Sequence, residues 1–219
     1  MNQVRLLQMQ VEDLLGALSS PAPTPGGGTA AALCGAQAAA LAEMVAAVSA
    51  RRGPADQLNA LAASAGRLRA SLAAGADADA AAYAGVVEAL RLPRGEADQR
   101  RARDQARQQA LRRAAEVPLG TAQSAGEVLE LCHRLLPLAS PRLYSDLAAA
   151  VRLAQAAAHA ALYNVDANAA SIADEESVRS LRHRREQLAA GVDRSAGQLL
   201  SELEGSLAAW LGERDSNPH

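Results

Sequence analysis

An all-α fold, a single-domain bundle of long alanine-rich helices, is predicted by two features of composition and one of pattern. Roughly a quarter of the 219 positions are alanine and phenylalanine is absent, so strong helix formers abound while strong strand formers are few. Leucine and alanine recur at three- and four-residue steps through much of the chain, the period of a helix with a buried face. Residues 1–219 are long enough for one domain with a real core, and no internal repeat divides them. Each buried alanine removes little apolar area from water, so such helices need long contacts or a partner subunit; a homo-oligomer is expected.

Leu7, Val11, Leu14, Leu15 and Leu18 keep helical spacing and predict a first helix ending before Pro21. The stretch from Ser20 through Pro21, Pro23, Pro25, Gly26, Gly27 and Gly28 to Thr29 follows. Proline fixes φ and the three glycines release it, so the backbone there can turn sharply and come close to another molecule. A second helix from about Thr29 to Ala50 comes next, closed by Gly53-Pro54, and its first amides point outward with the positive end of the dipole. That end favours an anion or a polar carbonyl edge, although a glycine-rich turn before a helix is, taken alone, most often a connector.

A long third helix is predicted from Ala55 to Leu90, where Leu92-Pro93 breaks it. The charged segment from Glu96 leads into another helical stretch, with Pro118 expected to open or kink a further helix running to about Leu136. Ser140-Pro141 marks a turn, and a helix of mostly Ala, Leu and Val runs from Tyr144 to about Ile172. Asp174-Glu175-Glu176, acidic against a helix dipole, signals the start of a last helix ending near Trp210.

Composition excludes several chemistries. All 22 basic residues other than histidine are arginine, which leaves no phosphate-binding Walker lysine and no Schiff-base lysine. A net charge of −2 speaks against broad nucleic-acid binding. The densest basic run, Arg100, Arg101, Arg103, Arg107, Arg112 and Arg113, is interleaved with Asp98, Asp104 and Glu116 and reads as a solvated helix face. Cys34 and Cys132 lack metal spacing and are expected to be buried free thiols; the four histidines share no ligand spacing, so no metal site is expected. The N-terminus lacks an apolar signal core, and the apolar run from Thr29 to Ala42 is short and interrupted by Gln37, so a cytoplasmic protein with no membrane span is expected.

Four groups could carry chemistry. Leu61, Ala65, Leu68, Leu72, Ala76, Asp79, Tyr83, Val86 and Leu90 fall on one stripe of the third helix, whereas Asp77 is rotated about 200° from Asp79. A carboxylate on an apolar stripe loses solvation and is poised for proton transfer, unless it pairs with an arginine or caps a helix break near Gly75. Asn164 and Asn168, four apart on an apolar helix, either read the edge of a flat heteroaromatic ring or bond across a helix interface. Asp146 stands about 27 Å from Asn164 along the same helix. Either the ligand is long, or two subunits share the site, or Asp146 only opens the helix with Ser145. Arg51 and Arg52, where the second helix ends, complement its dipole or bind substrate carboxylates.

Several segments together resemble the cyclodeaminase/cyclohydrolase family of folate enzymes. They are Pro23-Thr24-Pro25-Gly26-Gly27-Gly28-Thr29, Ala78-Asp79-Ala80-Ala81-Ala82-Tyr83 with Leu92-Pro93, Val117-Pro118-Leu119, Ser145-Asp146-Leu147 and Tyr163-Asn164-Val165-Asp166-Ala167-Asn168, in family order across nearly the whole chain. The chain departs from the family after Met44-Val45, reading Val48-Ser49-Ala50-Arg51-Arg52-Gly53 where a Thr, a Gly and a basic residue are usual.

The resemblance implies an all-α homodimer with a folate groove and no tightly bound cofactor, a tetrahydrofolate derivative being the substrate. It picks out Asp79 rather than Asp77. Substrate contacts are expected from Pro25, Gly26, Gly27, Gly28, Thr29, Tyr83, Ser145, Asn164 and Asn168, with Arg51 or Arg52 attracting the glutamate tail and Asp79 and Asp146 as catalytic carboxylates. The leading expectation is cyclodeamination of 5-formiminotetrahydrofolate to 5,10-methenyltetrahydrofolate and ammonia, with a separate formiminotransferase as a candidate partner. The alternatives are a methenyltetrahydrofolate cyclohydrolase and a non-catalytic folate-binding helical dimer.

Overall fold

The computed structural model describes residues 6–216, and among them every regular element is helical. A 3-10 turn at Leu6–Gln8 precedes α1 (Val11–Leu18), α2 (Gly27–Ser49), α3 (Ala55–Arg91), α4 (Ala97–Leu135), α5 (Tyr144–Ala169) and α6 (Glu175–Ser216), with two further 3-10 turns, Leu136–Leu138 and Pro141–Leu143, between α4 and α5. The predicted all-α class and the order of the helices hold.

Helix α2 is the axis of the bundle, packed against α3, α5 and α4. Its buried residues, Ala31, Ala32, Gly35, Ala38, Ala39, Ala42, Val45 and Ala46 among them, lie on more than one face, so its pattern is apolar all round rather than striped. By length and hydropathy α2 could cross a membrane; half of its most apolar window is instead buried inside the bundle. The helix predicted from about Thr29 to Ala50 begins two residues earlier and ends one residue sooner, Gly27 and Gly28 being already helical. Gly35 lies where the helices pack closely: a Cβ there would lie 2.9 Å from Leu72 Cδ2 and 3.4 Å from Ala157 Cβ, so any larger residue would have to displace the Leu72 side chain between α2 and α3. The larger core side chains are leucines and valines of α3, α4, α5 and α6, such as Leu72, Leu119, Leu129, Leu162 and Leu199.

Three expectations change. Helix α1 is eight residues long and buries none of them, with Val11 73% and Leu15 61% exposed, so its apolar stripe finds no core within one chain. The charged stretch after Glu96 and the predicted Pro118 helix are one helix of 39 residues, opened by a capping box in which Gln99 Oε1 accepts the Glu96 amide. Pro118 is buried in its interior, where its ring removes the hydrogen bond that the Ala114 carbonyl would otherwise accept. Helix α5 stops at Ala169, three residues short of Ile172, and α6 runs past Trp210 to Ser216.

Other readings stand. Asp174 accepts the Glu176 amide at 3.2 Å and the Ser177 hydroxyl at 2.6 Å, which holds its carboxyl below the usual range and opens α6 as the acidic triplet foretold. Arg100, Arg101 and Arg103 serve local structure on an exposed helix: Arg100 donates to Gly95 O, Arg101 pairs with Asp98, and Arg103 donates to Leu90 O. Both cysteines are free; Cys132 is fully buried and its thiol is pushed up to about 12, while half-buried Cys34 donates to Leu153 O at 3.4 Å.

Candidate active site

The glycine turn and Asp79 meet. Helix α2 begins at Gly27 after Gly26, which supplies no side-chain cap, so the first amides of α2 need partners from elsewhere. Asp79 of α3 supplies one: it accepts the Thr29 backbone amide and the Thr29 hydroxyl, the latter on Oδ2 at 3.1 Å. The same hydroxyl lies 3.5 Å from Ala76 O. Gly28 is fully packed against the carboxyl, since an added Cβ would fall 2.1 Å from Asp79 Oδ1. Gly27, its neighbour, would place a Cβ 3.3 Å from Asn164 Nδ2 of α5. Gly27, Gly28 and Thr29 thus touch α3 through Asp79 and α5 through Asn164 within one turn of helix.

Asp79 sits where its stripe leaves the core. Leu61, Ala65, Leu72 and Ala76 are buried, Asp79 is half-buried, and Tyr83, one turn on, is 42% exposed. Burial raises the Asp79 pKa above the ordinary carboxylate value, and the hydroxyl and amide of Thr29 offset part of that rise. Among the described residues no arginine pairs with Asp79, so the carboxyl faces a helix N-terminus with no cation to fix its charge. The arrangement is a half-desolvated carboxyl held by two donors at the surface end of an apolar stripe, suited to taking and returning a proton. Thr29→Val removes one donor to the ionised form and is expected to raise the Asp79 pKa further, read by carboxyl-carbon NMR titration. An unchanged titration would mean that the hydroxyl spends its proton on Ala76 O.

The other sequence candidates divide into two places. Pro25, whose peptide bond with Thr24 is cis, and Gly26 lead directly into α2 at the Asp79 end. Asn164 donates to Ala160 O of its own helix at 2.9 Å, leaving its amide beside Gly27. Asn168 turns elsewhere: its Nδ2 donates to Ala114 O of α4 at 2.7 Å, the cross-helix alternative, so the pair does not present two amides to a ligand. Arg51 and Arg52 are exposed beyond the C-terminus of α2, about 33 Å along that helix from Gly28. The Ser49 hydroxyl accepts the Ser140 amide at 3.0 Å and ties that end of α2 to the start of α5, where Ser145 and Asp146 lie. Within one chain, therefore, Asp146, Ser145, Arg51 and Arg52 stand together at the far end of the bundle from Asp79 and Asn164. Asp77, off the stripe as expected, accepts the Leu6 amide at 3.0 Å and fastens the N-terminal turn to α3.

The structure adds what spacing could not give, the seating of Gly28 on the Asp79 carboxyl and the use of Asn168 by α4. A groove of about 580 Å³ between α4 and α6, lined by Gln123, Glu127, Glu130, Gln187 and Ser195 among others, contains none of the predicted site residues. Among the described residues no three His, Cys, Asp or Glu side chains gather closely enough to hold a metal ion.

Comparison with known proteins follows the same lines. The family model for formiminotransferase-cyclodeaminase matches residues 10–187. Methenyltetrahydrofolate cyclohydrolase from Methylorubrum extorquens is 34% identical over 169 residues, covering 75% of this chain and 81% of that protein. The crystal structure of formiminotetrahydrofolate cyclodeaminase from Thermotoga maritima superposes with a TM-score of 0.80 over 91% of this chain and 98% of the other, at 24% identity, and so shares the fold. The matched span contains the glycine turn, Asp79, Pro118, Asn164 and Asn168, and on this ground the chain belongs to the formiminotransferase-cyclodeaminase family.

Proposed function

We propose that this protein is a folate one-carbon enzyme that acts on the carbon bridging N5 and N10 of tetrahydrofolate, with Asp79 as its proton-transfer group. The observation that carries the reading is the seating of one half-desolvated carboxyl on Gly28 and Thr29 at a helix start, with an asparagine amide alongside. The nearby amides and hydroxyl suit the polar edge of a pterin.

Of the two reactions weighed from the sequence, ring opening gains support from the 34% identity to a cyclohydrolase over most of that enzyme's length. In this reaction water attacks the methenyl carbon, Asp79 takes a proton from the water, and a neutral carbinolamine forms. The bond from carbon to N5 then breaks, Asp79 returns its proton to N5, the hydroxyl proton leaves to solvent and 10-formyltetrahydrofolate results. Cyclodeamination, favoured by the family model, uses the same groups. N10 attacks the carbon of the protonated formimino group, whose nitrogen already carries two hydrogens, Asp79 takes the N10 proton and passes it to that nitrogen, and ammonia leaves with the cationic methenyl bridge formed. Either way, one carboxyl serves as base and then as acid, which requires a pKa nearer the working pH than that of a free carboxyl.

A spectroscopic assay following the methenyl chromophore, run with 5,10-methenyltetrahydrofolate alone and with 5-formiminotetrahydrofolate, separates the two. Loss of the chromophore faster than in buffer supports ring opening; its appearance with release of ammonia supports cyclodeamination. If neither occurs but excess folinic acid raises the melting temperature, the chain binds folate without catalysis, since a ligand at 100 times its Kd adds about 2.7 kcal/mol. No response in any arm ends the folate reading.

A further inference from the structure

We infer that Asn168 is a positioning residue made necessary by Pro118: it satisfies the carbonyl that the proline orphans and so clamps the C-terminal turn of α5, with Asn164, against the glycine turn of α2. An α-helix bonds each amide to the carbonyl four residues back, and position 118 has no amide hydrogen, so Ala114 O lacks its partner in a buried stretch of α4. A buried carbonyl without a donor is costly to leave unsatisfied. The Asn168 Nδ2 fills the gap at 2.7 Å, crossing from α5 to α4. The facing atom can only accept, which fixes the NH2 and not the oxygen of Asn168 on that side. Asn164, one turn earlier on the same face of α5, rests against Gly27. Polar contacts just beyond α5 reinforce the clamp, Gln108 Oε1 accepting the Ala173 amide at 2.8 Å and Arg112 pairing with Asp174 at 3.2 Å. The proline at 118 and the asparagine at 168 therefore form one device, in which a defect in α4 is used to hold the register of α5 beside Asp79.

The inference deepens the folate reading in its kinetic part only; its stability part stands without any ligand. The test is a double-mutant cycle of Asn168→Ala and Pro118→Ala. Pro118→Ala restores the amide that Ala114 O needs, so the asparagine becomes redundant. Asn168→Ala alone is expected to lower the urea midpoint by about 0.5–1 M and to speed amide exchange over residues 161–168. In the Pro118→Ala background the same substitution should change the midpoint less than half as much. For the folate reaction, Asn168→Ala should raise KM about fivefold without moving the acid limb set by Asp79, and Pro118→Ala should suppress that rise. If Asn168→Ala does not fold, recovery of folding in the double variant supports the device and failure to recover overturns it. Equal losses in both backgrounds, in midpoint or in KM, would assign Asn168 to the ligand or to packing alone. A midpoint and exchange pattern untouched by Asn168→Ala would overturn the clamp even if the folate assay fails for other reasons.

Discussion

Asp79→Asn is expected to lower turnover about 10²- to 10⁴-fold, the usual worth of a positioned acid–base group, while making the folded protein more stable at neutral pH. The two effects share one cause. Burial raises the Asp79 pKa, so the folded chain holds this proton more tightly than the unfolded chain does. A group of that kind contributes stability below its unfolded pKa, about 3.9, and loses it as pH rises through the folded value. At neutral pH the ionised carboxyl is therefore a liability for folding that asparagine removes, while its oxygen still accepts the Thr29 donors. Chemical denaturation of both proteins across a pH series checks this: the excess stability of the variant should be smallest in acid and full above the folded pKa of Asp79. The turnover of the wild type should rise with pH over the same interval, because the base must be ionised to act. Near-normal turnover in Asp79→Asn would remove this carboxyl from the chemistry. An excess over the wild type no larger at pH 7 than at pH 4 would mean that the Thr29 donors outweigh desolvation.

The helices were legible because their signals are local. Gly53-Pro54, Leu92-Pro93 and Ser140-Pro141 each coincide with a real break, and Asp174 opens α6 where its side chain caps it. Pro118 misled because the rule it obeys is not local: a proline ends a helix when its orphaned carbonyl has no partner, and here a residue fifty positions away provides one. The face of Asp79 could be read from a 3.6-residue period, since its stripe is buried down to Ala76. Which amides it would meet could not be read, because that depends on how α2 and α3 cross. Asn164 and Asn168 were alike by spacing and separated only by what lay opposite, Gly27 for one and Ala114 O for the other.

The same limit applies to Asp146, Ser145, Arg51 and Arg52. Sequence places Ser145 and Asp146 in a family-like segment and Arg51 and Arg52 in the one that departs from the family, and the fold sets all four together about 27–33 Å along α5 and α2 from the Asp79 cluster. A single pterin in one chain cannot reach both ends. A role for them in the same reaction requires either a ligand long enough to span the bundle or a second copy running the other way; for the latter the exposed apolar residues Leu7, Val11 and Leu15 of the N-terminal segment would provide contact area.

Gly28→Ala should abolish turnover nearly as completely as loss of the carboxyl itself, in a protein that still folds. The added Cβ would lie 2.1 Å from Asp79 Oδ1, 2.5 Å from Cγ and 2.8 Å from Oδ2. Spinning the carboxyl about its own bond gives no relief, because Cγ is among the atoms struck. The side chain must instead change its first torsion, which carries both oxygens away from the hydroxyl and amide of Thr29. Folding tolerates this: alanine is a better helix former than glycine by up to about 1 kcal/mol, and a carboxyl swung towards solvent recovers hydration. The melting temperature should therefore shift by only a few degrees while kcat falls about 10²-fold or more. Gly27→Ala is the matched control, since its Cβ would meet Asn164 Nδ2 at 3.3 Å and needs only a small movement of a side-chain end. It should retain most of the turnover and alter KM instead. Should Gly28→Ala work as well as Gly27→Ala, the fit between the start of α2 and Asp79 would not be what holds the reacting group, and the carboxyl would have to act from another position.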